Sequence, residues 1–191
     1  TGIAMVYGSL SGMSRRWVDR GLMGFADLML SVPQILIVVF LQAIFGKSGY
    51  LSLALSIGGT GWMAMARIIR NEVRRIRETD YVTAARMMGG SFGYILRKHL
   101  LPGFLPAVLY AAVSSIGAAM MTEATLSFMG LGLPVAEVSW GGLLSDSRNA
   151  LLSDSWWIIL IPGIVLIGTL IAIAALGEQV RKGNTRLHSN L

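Results

Sequence analysis

Glu123 is the residue whose type is least at home where it stands. It lies in the apolar run from Gly103 to Phe128. An ionisable group inside such a run costs roughly 3 kcal/mol unless it is paired or hydrated, so a functional role is the default hypothesis. Two readings fit. Glu123 lines a transport pathway, or it sits near the outer end of the run and bonds to N–H groups of the turn at Gly130 and Gly132. Other chemistries find less support. Gly46-Lys47-Ser48 ends like a phosphate loop, but the glycine needed five residues earlier is Leu41, so there is no nucleotide cradle. The chain has no His-Glu-x-x-His zinc motif. With no cysteine and two histidines, it offers no thiolate metal site and no histidine-built one. His99 and His188 read as satisfied or solvated residues. Glu137, Asp146 and Asp154 read as solvated loop acids, or as charges that attract the basic edge of a partner.

The second constellation is a polar island, Asp80 to Pro102, within an oily chain. Its spacing predicts two short helices with a break between them. Thr79 or Asp80 caps the first, since a short side-chain oxygen accepts a free backbone N–H. Tyr81, Ala84, Ala85 and Met88 fall at i, i+3, i+4 and i+7, on one face. Gly89-Gly90 ends that helix. Ser91 caps the second, with Phe92, Ile95, Leu96 and His99 on one face. Pro102 resets the chain direction. A flat face of alanines beside a tyrosine suits insertion into a partner's groove. It equally suits an amphipathic loop resting on lipid headgroups.

Thr83-Ala84-Ala85, Gly89 after three residues, and Leu101-Pro102 together resemble the "EAA" loop of ABC-importer permeases. That pattern runs Glu-Ala-Ala, three residues, Gly, nine residues, Ile, one residue, Leu-Pro. Here Thr83 stands in place of Glu and His99 in place of Ile. A second stretch, Glu123-Ala-Thr-Leu-Ser-Phe-Met-Gly-Leu-Gly-Leu133 followed by Ser139-Trp-Gly-Gly-Leu-Leu-Ser-Asp-Ser-Arg-Asn149, resembles the dipeptide/oligopeptide/nickel permease branch. The resemblance covers nearly the whole chain.

The elements that must position these residues are membrane spans. Apolar residues make up 54% of the 191 and charged ones 14%, and mean hydropathy is +0.64. Soluble domains carry about 25% charged residues. The apolar runs predict a partial span over 1–13 and full spans over 24–45, 51–69, 103–128 and 156–176. A loop over 70–101 lies on one side and a loop over 129–155, with a short re-entrant helix, on the other. Asp27 lies near the start of the 24–45 span and Pro33 kinks it. Gly58-Gly59-Thr60-Gly61 interrupts the 51–69 span, as a break lining a cavity or as a close helix contact. Trp156-Trp157 opens the last span at the interface. Thirteen of the 16 lysines and arginines fall on the side of the island, including Arg15, Arg16 and Arg20 in a short basic loop. Lys47 and Arg148 fall opposite. The positive-inside rule therefore puts the island and the C-terminal tail in the cytoplasm.

The expected fold is an all-α membrane protein, a polytopic transmembrane helix bundle. The resemblance implies a type I ABC-importer permease, truncated at its N-terminus by one span. It further implies a non-enzymatic subunit of a bacterial or archaeal inner membrane, working with a second permease subunit, two cytoplasmic ATPases and an extracytoplasmic substrate-binding protein. ATP and Mg would be bound by the ATPases, and this subunit would hold no cofactor and no nucleic acid. Asp80, Tyr81, Thr83, Ala84, Ala85, Gly89, Ile95, His99 and Pro102 would form the ATPase-coupling loop. Di- or oligopeptides are the expected cargo, with nickel or a metal chelate as the alternative in the same branch. A secondary transporter or channel is the alternative of another class.

Overall fold

The computed structural model describes residues 1–45, 49–134, 136–147 and 155–188, with side chains except at 86, 92, 99 and 183–188. Lys47, Arg148, Asp154 and the Gly46-Lys47-Ser48 triplet lie outside the described residues, as do the side chains of His99 and His188. Within them every regular element is helical. In chain order these are α1 Gly2–Met13, α2 Arg16–Ser31, α3 Gln34–Phe45, α4 Tyr50–Arg77, α5 Asp80–Met87 and α6 Phe92–Ile95. A π-helical turn, Leu96–Leu100, then leads into α7 Leu101–Phe128, followed by α8 Trp140–Asp146 and α9 Trp157–His188.

Several boundaries differ from the sequence expectations, each for a local reason. The expected 24–45 span is two helices, not one. Pro33 disfavours helical geometry at Val32, and Ser31 Oγ donates to the Leu28 carbonyl at 2.6 Å as α2 ends. The Pro33 carbonyl then accepts from Leu36 N–H at 2.9 Å to begin α3. Arg16 and Arg20 lie on α2 rather than in a loop. Gly58 to Gly61 does not interrupt α4, which is helical from Tyr50 to Arg77; Cβ atoms at Gly58 and Gly59 would meet nothing within 4 Å. The C-terminal tail continues α9 as far as His188.

α7 and the Trp157–Lys182 part of α9 are each long and apolar enough to cross a membrane. The pair α2 and α3, bent by 85° at the break, passes the same test only when taken together, as a broken span or a re-entrant loop.

The chain forms two compact units. The first comprises Thr1–Ser31, Trp62–Val113 and Gly177–Leu191; the second comprises Val32–Gly61 and Ser114–Leu176. In the first unit α1 lies directly on α4. Ala4, Gly8, Ser11 and Gly12 are its buried stripe, a small-residue face of the kind that lets helix backbones touch. A Cβ at Gly8 would come within 2.5 Å of the Ala66 carbonyl oxygen, and one at Gly12 within 2.9 Å of Val73. Tyr7 packs edge-on to Trp62 at 5.0 Å and donates to the Leu22 carbonyl at 2.6 Å. The core continues through Ile69, Val73 and Ile76 to Val82, Ala85, Ile95, Leu100 and Phe104.

The second unit has a smaller core of Val38, Leu53 and Leu126. Polar pairs join α3 to α4 there. Gln34 Nε2 donates to Thr60 Oγ1 at 3.2 Å, and Ser52 Oγ donates to Gln42 Oε1 at 3.0 Å. Such bonds hold helices together where the surroundings offer no water.

Candidate coupling loop and the Glu123 hairpin

The polar island is built as two short helices locked to the ends of two long ones, all within the first unit. Thr79 divides α4 from α5. Its hydroxyl donates to the Ile76 carbonyl at 2.6 Å, which closes α4 rather than capping α5. Its own carbonyl accepts the first α5 bond, from Thr83 N–H at 3.0 Å. Asp80 follows in the first turn of α5, where a negative charge favours the helix dipole.

Gly89 ends α5 as its spacing predicts, with φ of 81°. Gly90 N–H donates to the Ala85 carbonyl at 3.0 Å, the six-to-one bond of a Schellman end. A Cβ at Gly90 would meet that oxygen at 2.7 Å. One glycine is therefore required by its backbone angle and the next by proximity. Ser91 caps α6, its Oγ accepting from Tyr94 N–H at 3.4 Å. Gly89, Ser91 and Gly93 have the spacing of a Gly-x-Ser-x-Gly nucleophile turn. That motif needs a strand before the serine and a helix after it. Here the serine joins two helices and caps the second.

Pro102 does not break the chain. It has no N–H to give, and its ring crowds the carbonyl four residues earlier. The preceding turn widens to π geometry, with Leu101 N–H donating to Leu96 O, and the helical path runs on into α7. A Cβ at Gly103 would lie 2.9 Å from Ile76 Cδ1, so the start of α7 is pressed against the end of α4.

The expected contact face divides in two. Val82 and Ala85 point into the core, with Ile95 and Leu100. Tyr81, Thr83, Ala84 and Met88 are exposed, as are Asp80, Gly89 and Pro102. Met88 is 81% exposed and Met87 84%. A groove beside them is lined by Ser91, Gly93, Tyr94, Arg97 and Lys98, with the Lys98 ammonium 5.3 Å from the Tyr94 ring centre. Adaptable methionines and an aromatic beside cations form a surface suited to a protein partner. Ala85 belongs to the frame behind that surface.

An ionic cluster fixes the frame, and sequence reasoning missed it. Asp19 is 4% exposed. Its carboxylate accepts from Ser11 Oγ at 2.7 Å, Arg70 Nε at 2.8 Å and Arg74 Nη1 at 3.1 Å. Asp19 precedes the expected 24–45 span, and both arginines follow the 51–69 span. The two guanidinium groups and the hydroxyl offset the cost of burying the carboxylate. Arg77 completes the joint by donating to the Met13 carbonyl at 3.1 Å. The available signal was an acid on the inward stripe of α2, where Asp19, Met23 and Ala26 are spaced at i, i+4 and i+7.

Glu123 lies in the second unit, half-buried. Its Oε1 accepts from Ser127 Oγ at 2.8 Å, and Ser127 Oγ accepts from Leu133 N–H at 3.0 Å. The carboxylate is thus linked through one hydroxyl to a backbone N–H beyond the Gly130 turn. Gly130 takes φ of 79°, and a Cβ at Gly132 would strike Ser127 Oγ at 2.3 Å. Ser139 Oγ caps α8 by accepting from Gly142 N–H at 2.9 Å. These contacts give physical meaning to the glycines of the stretch from Glu123 to Gly142. They let the chain reverse and fold back on the end of α7.

This helical fold is shared by a chain of a solved ABC transporter. Over 95% of this chain and 86% of the other, it superposes with a TM-score of 0.72 on a chain of the inward-facing MetNI methionine ABC transporter in its native crystal form, at 20% identity. A selenomethionine-soaked crystal form of that transporter gives a TM-score of 0.73 at 18% identity, covering 95% of this chain and 89% of that one. The chain belongs to the family of binding-protein-dependent transport system inner membrane components, whose pattern matches residues 4–182. It is 32% identical to the dipeptide transport system permease protein DppC of Bacillus subtilis, over 94% of this chain and 56% of that protein. It is also 32% identical to the oligopeptide permease OppC of the same organism, over 94% of this chain and 58% of that protein. A peptide permease homologue of Brucella ovis is 34% identical over 95% of this chain and 60% of its own length. The chain thus spans somewhat over half the length of these relatives.

Proposed function

We propose that the chain is the core of a membrane-spanning permease subunit in an ATP-driven importer of di- or oligopeptides. The observation that carries this reading is the similarity to DppC and OppC over 94% of the chain. In this reading the subunit is not an enzyme and binds no cofactor. It pairs with a second permease subunit, and a substrate-binding protein delivers cargo from outside. Two cytoplasmic ATPases bind ATP and Mg and drive the cycle. The island and the α9 tail face the cytoplasm of a bacterial or archaeal cell, an orientation supported by the excess of lysine and arginine on that side.

Tyr81, Ala84, Met88 and the groove at Tyr94 and Arg97 contact the ATPase. Val82, Ala85, Ile95 and Leu100 transmit the push to α4 and α7 by packing. Glu123 lines the pathway or only secures the hairpin beyond α7. Co-purification of the full-length protein from membranes tests the assembly. Ala84→Asp, on the exposed face, is expected to remove the ATPase without lowering the melting temperature. Undiminished ATPase in that preparation would sink the docking surface. A stable assembly lacking ATPase in the wild type would point to a secondary transporter.

A further inference from the structure

We propose that the start of α2 is a binding site for the headgroup of an anionic phospholipid in the cytoplasmic leaflet. The inference rests on the orientation argued above. α2 buries one stripe, Asp19, Met23 and Ala26. Its other side exposes Trp17 (84%), Val18, Phe25 and Leu28 (68%). At 100° per residue Trp17 and Leu28 fall in one sector, opposite Asp19, with Phe25 and Val18 beside them. Arg16 and Arg20 are four residues apart, neighbours on one flank of the helix, and Arg15 precedes them.

Arg67, Arg70, Arg74, Arg75 and Arg181 are each paired with a carboxylate. Among the described residues no ion pair is recorded for Arg15, Arg16 or Arg20. Arg77, Arg97 and Lys98 also lack an ion pair among the described residues, but only the arginines of α2 stand beside an exposed apolar strip on their own helix. The acid between them, Asp19, is turned inward and engaged by Arg70 and Arg74. Three positive charges are thus left uncompensated beside an exposed tryptophan and an apolar strip. Guanidinium groups meet phosphate with paired N–H donors. An indole favours the headgroup boundary, and the apolar strip below it suits acyl chains. Charge, aromatic and apolar parts follow the order of a phospholipid from phosphate to tail.

The test is native mass spectrometry of the detergent-purified full-length protein titrated with phosphatidylglycerol or phosphatidylcholine of matched chains. Wild type is compared with R15Q/R16Q/R20Q. Each basic group near an anionic surface is worth about fivefold in binding. The wild type is expected to retain phosphatidylglycerol preferentially, and the variant to lose that preference by about tenfold or more. Excess inorganic phosphate is expected to leave the lipid in place. Equal retention by the variant, no headgroup preference in the wild type, or displacement by inorganic phosphate would each overturn the proposal. So would unchanged lipid retention with loss of the ATPase, which would assign the arginines to a protein partner. The orientation is read separately. Arg20→Cys, introduced into the full-length protein with any other cysteine replaced by serine, supplies one thiol for a membrane-impermeant reagent. Labelling from the outer side alone would overturn the cytoplasmic placement while the lipid titration still reports on the site.

Discussion

Asp19 and Arg70, 51 residues apart in the chain, meet through a hydrogen bond of 2.8 Å from Nε and a second from Nη2. The pair ties α2 to the last turns of α4, next to the root of the proposed coupling loop. Ser11 brings α1 into the same cluster.

Asp19→Asn keeps the shape of the side chain and removes the charge that holds Arg70 and Arg74. Breaking one side of a buried pair costs about 3 kcal/mol. The variant is expected to melt measurably below wild type, and an unchanged melting temperature would show that the cluster is not a joint.

Gly8 separates backbone contact from mere flexibility. Gly8→Ala puts a methyl group 2.5 Å from the Ala66 carbonyl, and overpacking of this kind costs about 2 kcal/mol. Gly2→Ala is the control on the same helix, since nothing lies within 4 Å of its Cβ. Thermal melting of the two variants should differ clearly; equal stability would mean that α1 is not seated on α4.

Gly89 and Gly90 make a similar pair on the coupling loop. Gly89→Ala strains a residue at φ 81°, by about 1 kcal/mol. Gly90→Ala meets the Ala85 oxygen at 2.7 Å and cannot be accommodated without moving the α5 end. Both should weaken ATPase co-purification, Gly90→Ala the more. Gly59→Ala, on α4 outside the groove and with open space around it, should leave it unchanged. Loss of association in all three variants would count against the Schellman geometry as the cause.

Glu123→Gln retains a carbonyl oxygen able to accept from Ser127, so melting should be little altered. If Glu123 lines the pathway, substrate uptake by the assembled importer falls; unchanged uptake removes that role. Ser127→Ala breaks both links of the chain to Leu133 and is expected to cost about 1 kcal/mol, read as a lower melting temperature.

Local chemistry made much of this protein legible in its sequence. Gly89 ends a helix because glycine alone enters that backbone region cheaply. Ser91 caps because its oxygen is short. The apolar runs mark α7 and α9 because a membrane needs about 20 such residues. Tertiary packing decided the rest. Ala84 and Ala85 are the same residue type, one position apart, yet only Ala85 is buried, because Ile95 and Leu100 close over one side of α5. Asp19 appeared as one acid in a basic stretch, and its role depends on Arg70 and Arg74 arriving from another helix. The span expected over 24–45 became two helices because Pro33 acts on the residue before it as well as on itself. Periodicity assigns a residue to a face; the structure alone shows which face has a neighbour.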